Sequence, residues 1–395
     1  MNILFYCSEY PPFRSGGIGS VTKIVAEQLA QRGHKVIVAG YYTNMPHKQL
    51  IENINGVTIY RIGLGLRDGW LKRKFIQGCN KLHMARWIHQ YEIDRIEAQL
   101  EHIIKEHSID IMELTDFYPL VSCKSRLKFR KFSVPTILRI HGCVTLVSEI
   151  AGNCSPFYKI NDGCHFDRCN HVLAVSDFSM GYIKENFNLS NIASWDVIYN
   201  PVEMSIINKT TPNPGNTILF IGRLTKEKGA DSLMQAFNIC ARENPNLRLA
   251  LLGSGDKNRL LAYVDEEYHN RIEFLGYCNR SEVVKHIDKC SFGCLPSYME
   301  NFSMAAMEVM SRNRTLIYTQ RASGKELIDS GEDGILVDPD NIEELSHQIL
   351  RLSNDHTLRD TMADKAYKKI LEKYSTSVIV EQLEEYYTNK LQINS

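Results

Sequence analysis

Apolar positions along this chain fall into short unbroken runs separated by longer stretches with a period near 3.6. ILFYC (3–7) reads as a buried strand, and Ile18, Val21, Ile24, Val25 and Leu29 mark one face of a helix that ends at Gly33. KVIVAG (35–40) is a second strand. Strand, Gly-rich loop, helix and strand make a βαβ unit, which predicts a parallel sheet. IDIMELTD (109–116), VPTILRIHG (134–142) and HVLAVSDFS (171–179) read as further strands, the last turning into a helix with Ser176 and Asp177 as caps. Asn200-Pro201, in VIYNPVE (197–203), breaks the pattern, and the polar TTPNPGN (210–216) reads as a linker. A second strand-and-helix series follows: TILFIGRL (217–224), LRLALLGSG (247–255), IEFLGYC (272–278), SFGCL, TLIYT and GILVD. The fold class predicted is α/β, in two doubly wound domains, 1–200 and 201–374, with 375–395 as a terminal helical segment.

A length of 395 residues with 44% apolar content suits two buried cores. Formal net charge is zero, so no overall field draws the chain to nucleic acid, and any basic surface is local. No apolar run approaches the length of a membrane-spanning helix. MNILFYC reads as a first strand rather than a signal peptide, so a cytoplasmic location is expected. Eleven cysteines, an odd number scattered over both halves, fit a reducing compartment. Cys154, Cys164, His165, Cys169 and His171 cluster in sequence but contain no C-x2-C pair, and are read as scattered thiols and imidazoles rather than a zinc site.

Two stretches concentrate positive charge. Arg67 to His89 interleaves basic residues with Trp70, Leu71, Phe75 and Trp87, and KSRLKFRKF (124–132) carries five basic residues in nine. Either is a solvated face or a contact for anionic head groups at the inner membrane face.

The chemistry concentrates between Pro296 and Pro339. Glu300 lies in a loop after SFGCL, and Glu308 lies in a helix beginning near Phe302 or Ser303, roughly two turns in at about 1.5 Å per residue. The amides of Phe302, Ser303 and Met304 would lack intrahelical partners and form a seat for phosphate. A nucleotide sugar fits such a site: one acid for sugar hydroxyls, amides for a diphosphate, one acid for ribose. Upstream, Arg223 and Lys228 stand in GRLTKEKG, a polar loop where cations are ordinarily solvated. Asp338-Pro-Asp340 has D-x-D spacing but closes a strand, and no catalytic metal is expected.

The two glutamates with seven residues between them, GILVDP, GRLTKEKG and YPPFRSGGIG, in that arrangement, resemble retaining glycosyltransferases of the GT-B fold, in particular glycosyltransferase family 4, over nearly the whole chain. The resemblance implies two Rossmann-like domains facing a central cleft, with the terminal helix crossing back to the first domain. It implies a donor site in the second domain and an acceptor site in the first. Catalytic roles fall on His141, Glu300, Arg223 and Lys228. Gly16, Gly17, Gly253, Tyr277, Cys278, Asn301, Phe302, Ser303 and Glu308 would bind the donor, and Glu9 the acceptor. The implied substrates are a UDP- or GDP-linked hexose and a saccharide or lipid-linked hydroxyl acceptor, with no cofactor. Met304, where the family usually has a smaller or branched apolar residue, leaves the sugar open. A nucleotide-sugar epimerase and a catalytically silent sugar-nucleotide-binding subunit are the alternatives.

Overall fold

The computed structural model describes all residues except 13–15, 43–44, 46–48, 65–73, 75–77, 80–85, 205–215 and 394–395. The chain forms two compact units, Met1–Pro201 with Thr376–Ser395, and Val202–Ser375. Most of the aromatic-basic stretch from Arg67 to His89 and nearly all of TTPNPGN lie outside the described residues.

Among the described residues of the first unit, eight strands form one sheet: β1 (Asn2–Tyr6), β2 (Lys35–Tyr41), β3 (Leu50–Ile54), β4 (Val57–Ile62), β5 (Ile111–Thr115), β6 (Thr136–Ile140), β7 (His171–Ala174) and β8 (Ser194–Val197). Their order is β3-β4-β2-β1-β5-β6-β7-β8, parallel throughout except for β3 against β4. That pair is a hairpin the apolar pattern did not announce. Asn55 and Gly56 turn it with φ of 50° and 84°, the left-handed pair that Asn-Gly supplies at least cost. Ile3, Leu4, Ile37, Val38 and Leu114 are fully buried, so the central strands read as unbroken apolar runs because helices cover both faces.

The helix Thr376–Ile393 belongs to this first unit. Tyr387 is fully buried and its hydroxyl donates to Glu113 Oε2 at 2.6 Å. Glu384 takes Arg32 Nη1 at 2.9 Å and lies 2.8 Å from His34 Nε2. Apolar burial with charges at the rim docks the chain's end firmly.

The second unit carries β9 (Thr217–Ile221), β10 (Arg248–Leu252), β11 (Ile272–Gly276), β12 (Phe292–Leu295), β13 (Thr315–Thr319) and β14 (Ile335–Val337). They form a parallel sheet in the order β11-β10-β9-β12-β13-β14. The order reverses at β9 and β12, and loops leaving the carboxyl ends of adjacent strands separate there to make room for a ligand. The loops that follow β9 and β12 hold Arg223, Lys228 and Glu300.

Candidate donor site and the family of the chain

The loop after β9 turns through Thr225–Lys228 and enters the helix Ala230–Glu243 at Gly229, whose φ is +74°. A Cβ there would stand 1.9 Å from the Pro296 carbonyl oxygen. Glycine is required on both counts, and the Lys228 backbone therefore lies flush against the loop after β12. Tyr298 N donates to Glu227 O at 2.9 Å, tying the two loops together.

This packing brings Lys228 Nζ to 2.7 Å from Glu300 Oε1. Ser297 Oγ donates to the same oxygen at 3.0 Å. The Glu300 backbone is held as well, since Ser323 N and Oγ donate to its carbonyl at 3.3 and 3.0 Å. The acid is thus positioned through Oε1 and its main chain, and Oε2 makes no hydrogen bond among the described residues. Arg223 is exposed at the head of the same turn and enters no ion pair among the described residues.

The helix that follows Glu300 runs Met304–Ser311, with Ser303 as its N-cap; Ser303 Oγ accepts from Ala306 N at 3.3 Å. The expected set of open amides shifts accordingly. Phe302 and Ser303 precede the helix, the third amide is taken by the cap, and Met304 and Ala305 carry the first-turn amides without an intrahelical acceptor. Glu308 is the fifth helical residue, about one turn in rather than two. Phe302 is buried with its ring 5.3 Å from that of Tyr374, so its side chain is core. Asn301 is half-buried.

Glu308 faces a partner the sequence reading did not name. Arg280 Nη2 lies 3.8 Å from Glu308 Oε1 and 3.1 Å from Glu203 Oε2. Burial pushes the Glu308 carboxyl above the usual range, the Arg280 charge pulls it back, and the Glu203 charge adds to the rise. Arg280 opens the helix Arg280–Lys289, which Asn279 and Glu282 start with a reciprocal capping box. An Asn-x-x-Glu directly after the Tyr277-Cys278 turn was the available signal.

Gly253 has φ +146°, and a Cβ on it would meet the Gly222 carbonyl oxygen at 1.8 Å. Its glycine allows the ends of β9 and β10 to approach. Tyr277 is 76% exposed and Cys278 half-buried, both on the turn beyond β11. Asp338 and Asp340 are engaged by Arg321, whose Nη2 lies 2.6 and 2.5 Å from them.

In the first unit, His141 follows β6. The backbone N–H groups of His141, Gly142 and Cys143 all donate to Asp116 Oδ2, at 2.8, 2.7 and 2.7 Å. Asp116, fully buried, closes β5 and fixes the turn that presents His141. Sequence reasoning passed over it, although an acid closing a buried strand opposite a His-Gly turn was visible. Burial raises its carboxyl to about 6 against those three donors. Burial and the Arg139 guanidinium hold the His141 imidazole down at about 3, so it is neutral near pH 7. Gly16 caps the helix Gly17–Gln31, and its N–H donates to Glu9 Oε2 at 3.1 Å. Glu9 therefore sits at this helix mouth, while a Cβ on Gly17 would meet nothing within 4 Å among the described residues. Arg61, fully buried, holds the preceding loop by donating to the carbonyls of Tyr10 and Pro11 at 2.9 and 2.8 Å. Of the Cys/His cluster, His165 bonds the Thr115 carbonyl and stacks on Tyr118, and His171 Nδ1 lies 3.0 Å from Ser194 Oγ.

The family described as Glycosyltransferase Family 4 matches residues 15–205, and Glycosyl transferases group 1 matches residues 204–369. An uncharacterized glycosyltransferase from Methanocaldococcus jannaschii is 29% identical over 277 residues, 70% of this chain and 74% of its own. The N-acetylgalactosamine-N,N'-diacetylbacillosaminyl-diphospho-undecaprenol 4-alpha-N-acetylgalactosaminyltransferase of Campylobacter jejuni is 27% identical over 249 residues, 61% of this chain and 67% of its own. In fold, Anabaena HepE, solved with UDP and glucose, aligns with a TM-score of 0.70 at 16% identity, covering 98% of this chain and 99% of that one. The chain belongs to glycosyltransferase family 4 and has the GT-B fold.

Proposed function

We propose that the protein transfers a hexose from a UDP- or GDP-linked donor to a hydroxyl acceptor with retention of anomeric configuration and without a metal. The observation that carries this reading is the meeting of Lys228 and Glu300 at 2.7 Å beside the open end of the helix Met304–Ser311. Charge builds on the nucleoside diphosphate as the glycosidic bond breaks. Fixed cations and amides that need no reorganisation lower the barrier most where that charge develops. Lys228, Arg223 and the amides of Met304 and Ala305 take this part. Glu300, fixed through Oε1, orients the sugar, and Glu308 holds the ribose.

His141 is neutral, so its imidazole serves an oxocarbenium-like centre as a hydrogen-bonding dipole and adds no opposing positive charge. The acceptor proton passes to the leaving phosphate oxygen on the same face, which dispenses with a separate general base. Gly16 and Gly17 approach the donor through their backbone, with Tyr277 and Cys278 toward the base and Glu9 toward the acceptor. The Campylobacter relative is a glycosyltransferase acting on a diphospho-undecaprenol-linked sugar, which supports a role in polysaccharide or lipid-linked glycan synthesis; a cytoplasmic location is part of the same proposal.

Incubating the purified chain with UDP-, GDP- and ADP-sugars tests the reading. Slow release of the nucleoside diphosphate with one base, unchanged by EDTA, is expected. An altered sugar with no release marks an epimerase, and binding without turnover marks a silent subunit; either outcome overturns the proposal.

A further inference from the structure

One cavity of about 660 Å³ in the first unit is lined, among the described residues, by Arg86, Arg126, Lys128, Lys131 and Arg168, with Asp167 as the one acid. In a chain of zero net charge, five cations against one carboxylate around a single concavity is a strong local departure. Arg86, Arg126, Lys128 and Lys131 are exposed and enter no ion pair among the described residues. Asp167 is already occupied on one oxygen, where Asn191 Nδ2 donates at 2.8 Å.

The basic loop is held from both sides. Leu127 is buried, and its N–H donates to Asn161 Oδ1 at 3.0 Å. Asn161 Nδ2 in turn donates to Ser125 O at 3.0 Å. Lys128 exchanges two backbone hydrogen bonds with the Gln90 side chain, each 2.9 Å. A merely solvated run of charge needs no such anchoring to two helices. Beneath it Arg168 is only 5% exposed, and its Nη1 bonds Glu97 and the Arg130 carbonyl. Glu97 also serves Arg130 at 3.4 Å, so two guanidinium groups share one carboxylate. The Arg168 guanidinium is stacked on the rings of Tyr118, Phe129 and Phe132, at 4.6, 5.1 and 5.2 Å, so it adds fixed positive charge beneath the cavity.

We propose that this cavity binds a phosphoryl group, a phosphate or diphosphate borne on a larger molecule or on a lipid headgroup. Phosphate oxygens accept from planar guanidinium forks two at a time and from lysines as point charges, which matches the lining. The inference is independent of the donor reading and would hold if the second unit bound no nucleotide.

Hydrogen exchange of the full chain tests it with two probes, inorganic pyrophosphate in solution and phosphatidylcholine vesicles carrying phosphatidylglycerol. Slowed exchange over 124–132 and 160–170 is expected with at least one probe. Protection by pyrophosphate assigns a soluble phosphoryl group, and protection by vesicles alone assigns a headgroup. The combined variant Arg126→Gln, Lys128→Gln, Lys131→Gln removes only exposed charges, so the fold should persist. It should weaken the effective probe about tenfold or more, in keeping with the loss of three charge-assisted contacts. Absence of protection with both probes, or protection that survives the triple variant, overturns the proposal. Protection over 223–230 reports on the donor site separately, so the two readings fail independently.

Discussion

Replacing Gly229 with Ala tests the donor site through its backbone. A Cβ at this position would stand 1.9 Å from the Pro296 carbonyl oxygen, and real Cβ atoms essentially never approach within 3.0 Å, so the two loops must part by about 1.1 Å. The φ of +74° adds a left-handed penalty of roughly 1–2 kcal/mol for any residue with a Cβ. That penalty alone is measured by Gly331→Ala, where φ is +89° and nothing lies within 4 Å of the added atom. Both variants should therefore lose thermal stability. Only Gly229→Ala should also separate Lys228 from Glu300. A misplacement of about 1 Å at reacting groups costs about 10²-fold in rate, or about 2.7 kcal/mol. The assay is kcat/KM with the productive nucleotide sugar, beside nucleoside diphosphate affinity by calorimetry and the melting midpoint. If Gly229→Ala keeps turnover within about threefold of Gly331→Ala, the loop contact does not set the geometry of the site and the reasoning is wrong.

Other perturbations separate the parts of the site. Glu300→Ala releases Lys228 and Ser297 and should lower turnover at least about tenfold; a loss within about threefold, under ~0.7 kcal/mol, sinks the donor assignment. Glu308→Ala leaves Arg280 its Glu203 partner, so the fold should hold while nucleoside diphosphate affinity drops about tenfold in a titration; unchanged affinity would remove ribose from its role. His141→Asn should flatten the acid limb of stability. The folded imidazole titrates near 3 against 6.5 ordinarily, so the unfolded chain gains a proton between those values and wild-type stability falls as pH drops through them. Asp116 works in the opposite sense, its raised carboxyl favouring the fold toward lower pH, but it is common to both proteins. Melts at pH 7 and pH 4 that show equal drops for wild type and variant would refute the neutral imidazole.

Periodicity located most strands and the parallel class, because buried strands and one-sided helices are written locally as runs and stripes. It missed the β3-β4 hairpin, where Leu50 and Ile51 lie exposed and the strand carries no apolar run; only Asn55-Gly56 marked it. The family was equally legible from the order of its motifs, and Arg223, Lys228 and Glu300 lie in the loops after β9 and β12 where that order put them. What the amino-acid sequence determined by itself is this set of residue types and their spacing. The pairing of Lys228 with Glu300, the claim of Arg280 on Glu308 and the seat of Asp116 beneath His141 were decided only by tertiary structure. Each joins segments between 25 and 72 residues apart, and a contact at that range depends on sheet order and on loops packed to a fraction of an ångström, which no local pattern encodes.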